Sequence, residues 1–197
     1  MSRPELMKHY IEDKFLMLAK REKNINDVSI RMIADACGIS RNTFYYHFEN
    51  REQLIISIID SGISATREAR LANPRFKLID QTVLPVDVSF FLYSEKDLCR
   101  KLFYDSFERE TLRKHIRAIL HEFVQSRLPI VLMSGVTPDD DGTASVNIVV
   151  EFVYLMVVDN VLLRVEAEFM TEDYASTFNN LITNLIKCVI ESASVKS

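Results

Sequence analysis

Apolar residues recur every third or fourth position along most of this 197-residue chain, while glycine and proline occur only four and five times. That combination favours helices, because sandwiches and barrels need frequent turn residues and strands need alternation with a period of two. Met7, Ile11, Phe15 and Leu18 put one apolar stripe on a first helix over residues 4–22, with Pro4 near its start, where a missing N–H costs nothing. Residues 24–27 read as a loop. Ser29 can cap a second helix whose inner face is Ile30, Ile33, Ala34 and Cys37. Gly38 ends it, since glycine takes up a left-handed backbone at little cost. Ser40 can cap a third, short helix through about His47. Asn50 can cap a fourth, with Leu54, Ile55, Ile58 and Ile59 running inward.

The later sequence continues in the same pattern. Helices are expected over residues 86–93, over 95–107 (capped by Ser94, with Asp97 at the third helical position), and over 108–127. Pro129 and the segment 134–143, with its glycine, proline and three consecutive aspartates, mark a loop. Two long helices follow, over residues 144–169 and 172–193, the second capped by Thr171. The expected fold is all-α: an N-terminal three-helix domain over residues 1–54, then a larger helical domain over 55–197. Their boundary falls near Asn73-Pro74, or more gradually along the fourth helix.

Charge is unevenly spread. The formal net charge is −4, yet residues 1–54 hold nine Lys/Arg against eight Asp/Glu, and residues 38–48 hold no acidic side chain at all. An acid-free face can meet phosphate even when the whole protein is acidic. Cys37, Cys99 and Cys188 are odd in number, widely spaced and set among apolar residues, so reduced thiols are expected rather than disulfides or a metal site. The N-terminus carries no apolar leader, and the longest apolar stretch, residues 148–165, is broken by Glu151, Asp159, Asn160 and Arg164. A cytoplasmic protein with no membrane span is expected.

Residues 29–54 read SIRMIADACGISRNTFYYHFENREQL. Two short helices separated by Gly38-Ile39-Ser40 have the spacing of a helix-turn-helix, which sends its second helix into the DNA major groove. At about 100° per residue, Phe44 and Phe48 share the inward side of the third helix. Asn42 and Tyr46 point the opposite way, Thr43, Tyr45 and His47 flank them, and Arg41 stands at the N-terminal end. Hydroxyls, an amide, phenols and an imidazole can read base edges and bind phosphate, and a threonine methyl can meet a thymine methyl. An ordinary solvent-facing helix would carry Lys and Glu there.

The run Ile33-Ala34-Asp35-Ala36-Cys37-Gly38-Ile39-Ser40-Arg41-Asn42-Thr43-Phe44-Tyr45-Tyr46-His47-Phe48, followed by Arg51-Glu52-Gln53-Leu54, resembles the signature of the tetracycline-repressor (TetR) family. That signature is close to IAxxAGVSxGTLYxHFxxKExL and lies near the N-terminus, as it does here. Departures are Cys37 for a common alanine and Asn42 where glycine is frequent. The resemblance implies that Thr43, Tyr45 and His47 contact DNA, with Tyr46 on bases or backbone. It also implies that Ser29 and Arg31 meet phosphate or a base and that Arg51 clamps a phosphate. Beside these stand blander readings, in which Ser29 is only a cap and His47 and Arg51 are solvated.

The resemblance further implies that the last two helices pair with their copies as a four-helix dimer interface, through Val153, Val157, Val161, Phe178, Leu181 and Leu185; the plainer reading buries them entirely within one monomer. Two recognition helices one DNA turn apart independently require a two-fold dimer. Asp159 and Asn160, within an apolar run, can line a ligand pocket, set dimer register, or be partnered locally. Phe90, Phe91, Phe103, Tyr104 and Phe107 can wall a pocket for an apolar effector or belong to the core. No HExxH, GxSxG or glycine-rich phosphate loop occurs, and Asp139-Asp140-Asp141-Gly142 lacks the alternating ligands of a calcium loop. No enzyme activity, cofactor or metal is expected. The expected function is a dimeric repressor of a palindromic double-stranded operator, released by a small molecule. The alternative is an activator or co-regulator whose larger domain binds a protein.

Overall fold

In the computed structural model the described residues are 3–72, 87, 88, 91, 92, 94–132, 154 and 184. Every regular element among them is helical. α1 spans Arg3–Arg21, α2 Ile30–Cys37, α3 Arg41–His47 and α4 Arg51–Ala72; α5 spans Lys96–Arg100 and α6 Arg109–Leu132. A single 3-10 turn, Ile25–Asp27, lies between α1 and α2, and a π-helical turn, Lys101–Asp105, follows α5. Contacts divide the chain into two units. One comprises Met1–Gly62 with Glu95–Arg113, the other Ile63–Ser94 with Lys114–Ser197. The first is larger than the 1–54 segment expected, because residues 95–113 pack with it.

The caps of the first unit follow from its sequence. The Met32 N–H donates to Ser29 Oγ at 3.3 Å, that of Thr43 to Ser40 Oγ at 3.0 Å, and that of Gln53 to Asn50 Oδ1 at 2.8 Å. Each satisfies a backbone donor that a helix start leaves open, a contribution of about 1 kcal/mol. Gly38 closes α2 at φ +66°, where other residues would be strained. Ile11, Phe15, Leu18, Ile33, Ala34, Phe44, Phe48, Leu54, Ile55 and Ile59 are buried together as the helical spacing requires. Burial of each large side chain among them stabilises by about 1.5–3 kcal/mol. Glu12, also buried, accepts the Ser57 hydroxyl at 2.6 Å and lies 2.9 Å from His9 Nδ1, so α1 is fastened to α4 by a satisfied carboxylate.

Residues 95–113 join this unit through polar links that cross long sequence distances. Lys101 Nζ donates to the carbonyls of Ala19 at 3.1 Å and Glu22 at 2.9 Å, covering the C-terminal end of α1. Cations are favoured at such ends, where carbonyls lack helical partners. Asn26 Nδ2 donates to the Asp105 carbonyl, and Asn26 Oδ1 accepts the Phe107 N–H, each at 2.9 Å. Three expectations are corrected here. The helix expected over 95–107 breaks at the π turn, where the Ser106 N–H reaches back to the Lys101 carbonyl. Ser94 does not cap α5; its hydroxyl donates backwards to the Phe91 carbonyl at 2.9 Å, and Glu95 takes the cap position without a side-chain bond. Pro129 does not end a helix, since α6 continues to Leu132. A proline near the end of a long helix removes one hydrogen bond, a cost that a 24-residue helix carries.

Within the second unit, Asp87 is wholly buried and accepts Arg70 Nε at 2.6 Å and Nη2 at 3.1 Å, with Arg67 Nε at 3.3 Å. The fork of Arg70 matches the carboxylate in the two-bond geometry that makes such pairs strong. The Arg117 guanidinium lies 3.9 Å from the centroid of the buried Tyr154 ring. Val88, Phe91, Leu92, Ile116 and Leu120 are buried in this unit as well. No helix among the described residues is long and apolar enough to cross a membrane.

Candidate nucleic-acid interface

The reading surface is built outward from Phe44 and Phe48. Their rings lie 5.9 Å apart, both essentially inaccessible, and they fix the roll of α3 about its own axis. With that side anchored, Tyr45 and Tyr46 face solvent, at 50% and 78% exposure. Arg41 and Asn42 are exposed too, and Thr43 and His47 are half-buried. The helix is held at both ends: Ser40 caps it and also lies 2.9 Å from the Thr43 hydroxyl, and the Phe48 N–H returns to the Phe44 carbonyl. Tyr45 meets Phe44 edge-on at 5.7 Å, and Tyr46 meets His47 edge-on at 5.0 Å. The phenols therefore have restricted directions while their hydroxyls stay open, a low-entropy way of offering hydrogen bonds to a partner.

The remaining residues singled out for DNA contact lie at the starts of α2 and α4. Ser29 and Arg31 are exposed at the start of α2, where Ser29 is a cap and Arg31 lies 3.7 Å from Asp35 one turn on. Such a surface pair is weak and yields readily to phosphate. Arg51 is set differently from these two in the unbound protein. Its side chain is 12% exposed, its Nη1 lies 3.2 Å from Glu108 Oε1, and its Nη2 donates to the Ile25 carbonyl at 2.9 Å. Burial lowers its pKa and Glu108 partly restores it. Arg51 is a structural ion-pair partner that ties the start of α4 to the start of α6.

Of the aromatic residues considered for a pocket, Phe91 is buried in the second unit and Phe103 in the first. Tyr104 carries the Arg113 guanidinium 5.0 Å from its ring, and Phe107 faces solvent at 77% exposure. Phe90, Asp159 and Asn160, with the dimer residues Val153, Val157, Val161, Phe178, Leu181 and Leu185, lie outside the described residues. Among the described residues no cluster of His, Cys, Asp and Glu could hold a metal ion. Cys99 is buried, and burial together with the charge of Glu95 raises its pKa; Cys37 is half-buried and raised mainly by burial. Cys188 lies outside the described residues.

Sequence reasoning missed Lys8. It is exposed on α1, yet its ammonium lies 5.7 Å from the Phe48 ring centroid, at the C-terminal end of α3. The pKa of His47 is lowered, first by burial and then by this charge. No periodicity in α1 announces the contact, because it arises where α1 passes α3.

A capped, seven-residue helix rolled onto two phenylalanines, presenting hydroxyls, an amide and a guanidinium without a single acid, defines a helix-turn-helix DNA-binding protein. Residues 21–58, spanning α2, α3 and the start of α4, match the family model described as bacterial regulatory proteins, tetR family. Over that segment the chain is similar to DNA-binding regulators of the tetracycline-repressor family. Among solved structures it is similar to the TetR family repressor AlkX from Dietzia sp. strain DQ12-45-1b, implicated in biodegradation of n-alkanes. That likeness has 16% identity and a TM-score of 0.47, over 93% of this chain and 96% of the other. No curated protein matches the chain.

Proposed function

We propose that the protein is a repressor that occupies a palindromic operator as a homodimer and is released by a small-molecule effector. The observation that carries the DNA half of this reading is the surface of α3, where Tyr45 and Tyr46 stand in solvent on a backbone that Phe44 and Phe48 hold in place. Exposed tyrosines are retained where they contact something, and the acid-free surroundings select a polyanion. Arg41, Asn42, Thr43, Tyr45, Tyr46 and His47 supply base and backbone contacts, with Ser29 and Arg31 on phosphate. A dimer follows from the operator's geometry, since one α3 reads only one half-site.

Release by an effector uses α4 and α6. Each contributes residues to both units, α4 changing units after Gly62 and α6 after Arg113. In this reading the reading head is the first unit, and residues 63–94 and 114–197 hold the effector and the dimer contacts. The test has two parts. Selection from a random duplex library should enrich a palindrome whose half-sites lie about one helical turn apart, bound by two chains. A metabolite screen on that complex should then find a compound that dissociates it. Enrichment of a single non-repeated site bound by one chain would sink the dimer reading, and a complex that ignores every metabolite but recruits a protein would replace the repressor with a co-regulator.

A further inference from the structure

We propose that Lys8 extends the DNA interface from α3 onto α1, contacting a backbone phosphate beside the position of His47. The major groove is about 12 Å wide and walled by phosphates, so a cation at the flank of a helix lying in it faces a wall rather than the base edges. Lys8 is placed at such a flank. It is solvent-exposed, its ammonium sits 5.7 Å from the centroid of the Phe48 ring, and Phe48 is the residue that ends α3. The ring steers the aliphatic stem without neutralising the charge, since a cation over an aromatic face keeps its hydrogen-bond donors. Among the described residues no carboxylate pairs with Lys8, whereas Lys20, Arg21, Arg31 and Arg51 each have one.

The neighbourhood of His47 supports the placement. Lys8 from α1 is the charge that acts on the imidazole, adding to its burial in disfavouring the protonated form. On α3 the adjacent group is the Tyr46 phenol, on α2 Arg31 and Asp35 pair with each other, and on α4 Arg51 is engaged with Glu108. Glu49 precedes α4 and Glu52 lies in its first turn. One lysine thus has two effects. It adds a phosphate contact that is indifferent to sequence, and it adds to burial in disfavouring the protonated form of His47 in the unbound protein.

The test uses the full chain on two duplexes, a site enriched from a random library and an unrelated duplex of equal length. Lys8→Met removes the charge and keeps the stem over Phe48, Lys8→Ala removes both, and Lys8→Arg keeps the charge. Thermal unfolding by circular dichroism verifies that each variant is folded. Both neutral variants are expected to reduce the steepness of log affinity against log salt by about 0.9 on both duplexes, while Lys8→Arg retains the wild-type slope. The His47 ring titration, followed by NMR and assigned with His47→Asn, should move to higher pH in the neutral variants alone. A wild-type slope in Lys8→Met overturns the proposal whatever happens to affinity. So does an unmoved His47 titration, because Lys8 would then only pack on Phe48.

Discussion

The pair Arg51–Glu108 gives the sharpest test of how the reading head is held, because the sequence pattern sends Arg51 to DNA and the structure gives it to Glu108. The two side chains are 12% and 13% exposed with 3.2 Å between Nη1 and Oε1. At an effective dielectric of about 20 their attraction is about 5 kcal/mol, most of it offset by the desolvation of both charges. Breaking the pair from one side is costlier than its net value, since it leaves a largely buried charge alone, at about 3–5 kcal/mol. Arg51→Met also removes one of the two hydrogen bonds that the Ile25 carbonyl accepts, leaving the one from the Val28 N–H. We therefore expect Arg51→Met to lower stability by about 3 kcal/mol and Glu108→Gln, which keeps an acceptor, by about 2 kcal/mol. The double variant should fall short of their sum by about 1–3 kcal/mol. Urea denaturation of the four proteins gives the cycle, and salt titration of DNA binding gives the second readout. Arg51→Met should leave the salt slope unchanged. A slope shallower by about 0.9, together with additive stability losses, would refute the reasoning and return Arg51 to phosphate.

Three further outcomes follow from the same geometry. Phe44→Ala removes a ring with no accessible surface from beneath α3 and should destabilise by about 3–5 kcal/mol in urea denaturation, with loss of specific DNA binding. His47 has its pKa lowered in the folded protein, so below its ordinary value of 6.5 the unfolded chain binds a proton that the folded ring resists. Stability should decline as pH falls from about 6.5 through the lower folded value, and His47→Asn should remove that part of the pH dependence of the urea midpoint. Cys99, buried and held as a thiol, should resist iodoacetamide until urea unfolds the chain, while Cys37 is labelled slowly in the native protein; peptide mass spectrometry distinguishes them.

What was legible in the sequence was what is decided within a few residues. Ser29, Ser40 and Asn50 each cap the helix that follows, Gly38 turns left-handed, and Phe44 with Phe48 faces inward, because each choice depends on backbone geometry within a turn or two. The solvent-facing set on α3 follows from the same angular arithmetic. What escaped depends on tertiary approach. Glu108 takes Arg51 across 57 positions of sequence, and Lys8 reaches the end of α3 only once α1 has packed. The π turn after α5 escaped for a related reason: Asn26 and the carbonyls of Ala19 and Glu22, which accept Lys101 Nζ, hold it across about 80 residues. Ser94 had the right chemistry for a cap, but its hydroxyl donates to the Phe91 carbonyl and the helix begins one residue later.

The central claim is that the exposed face of α3 reads base sequence. Its most direct measurement is the affinity of wild type and Tyr46→Ala for a duplex enriched from a random library, titrated against salt beside an unrelated duplex. Tyr46 is 78% exposed, so its loss should leave the fold intact. We predict a steep salt dependence for the wild type on both duplexes, tighter binding to the enriched one, and a loss of about 1–3 kcal/mol of that preference in the variant. Failure to enrich any site, or a preference that Tyr46→Ala leaves untouched, would contradict readout through α3.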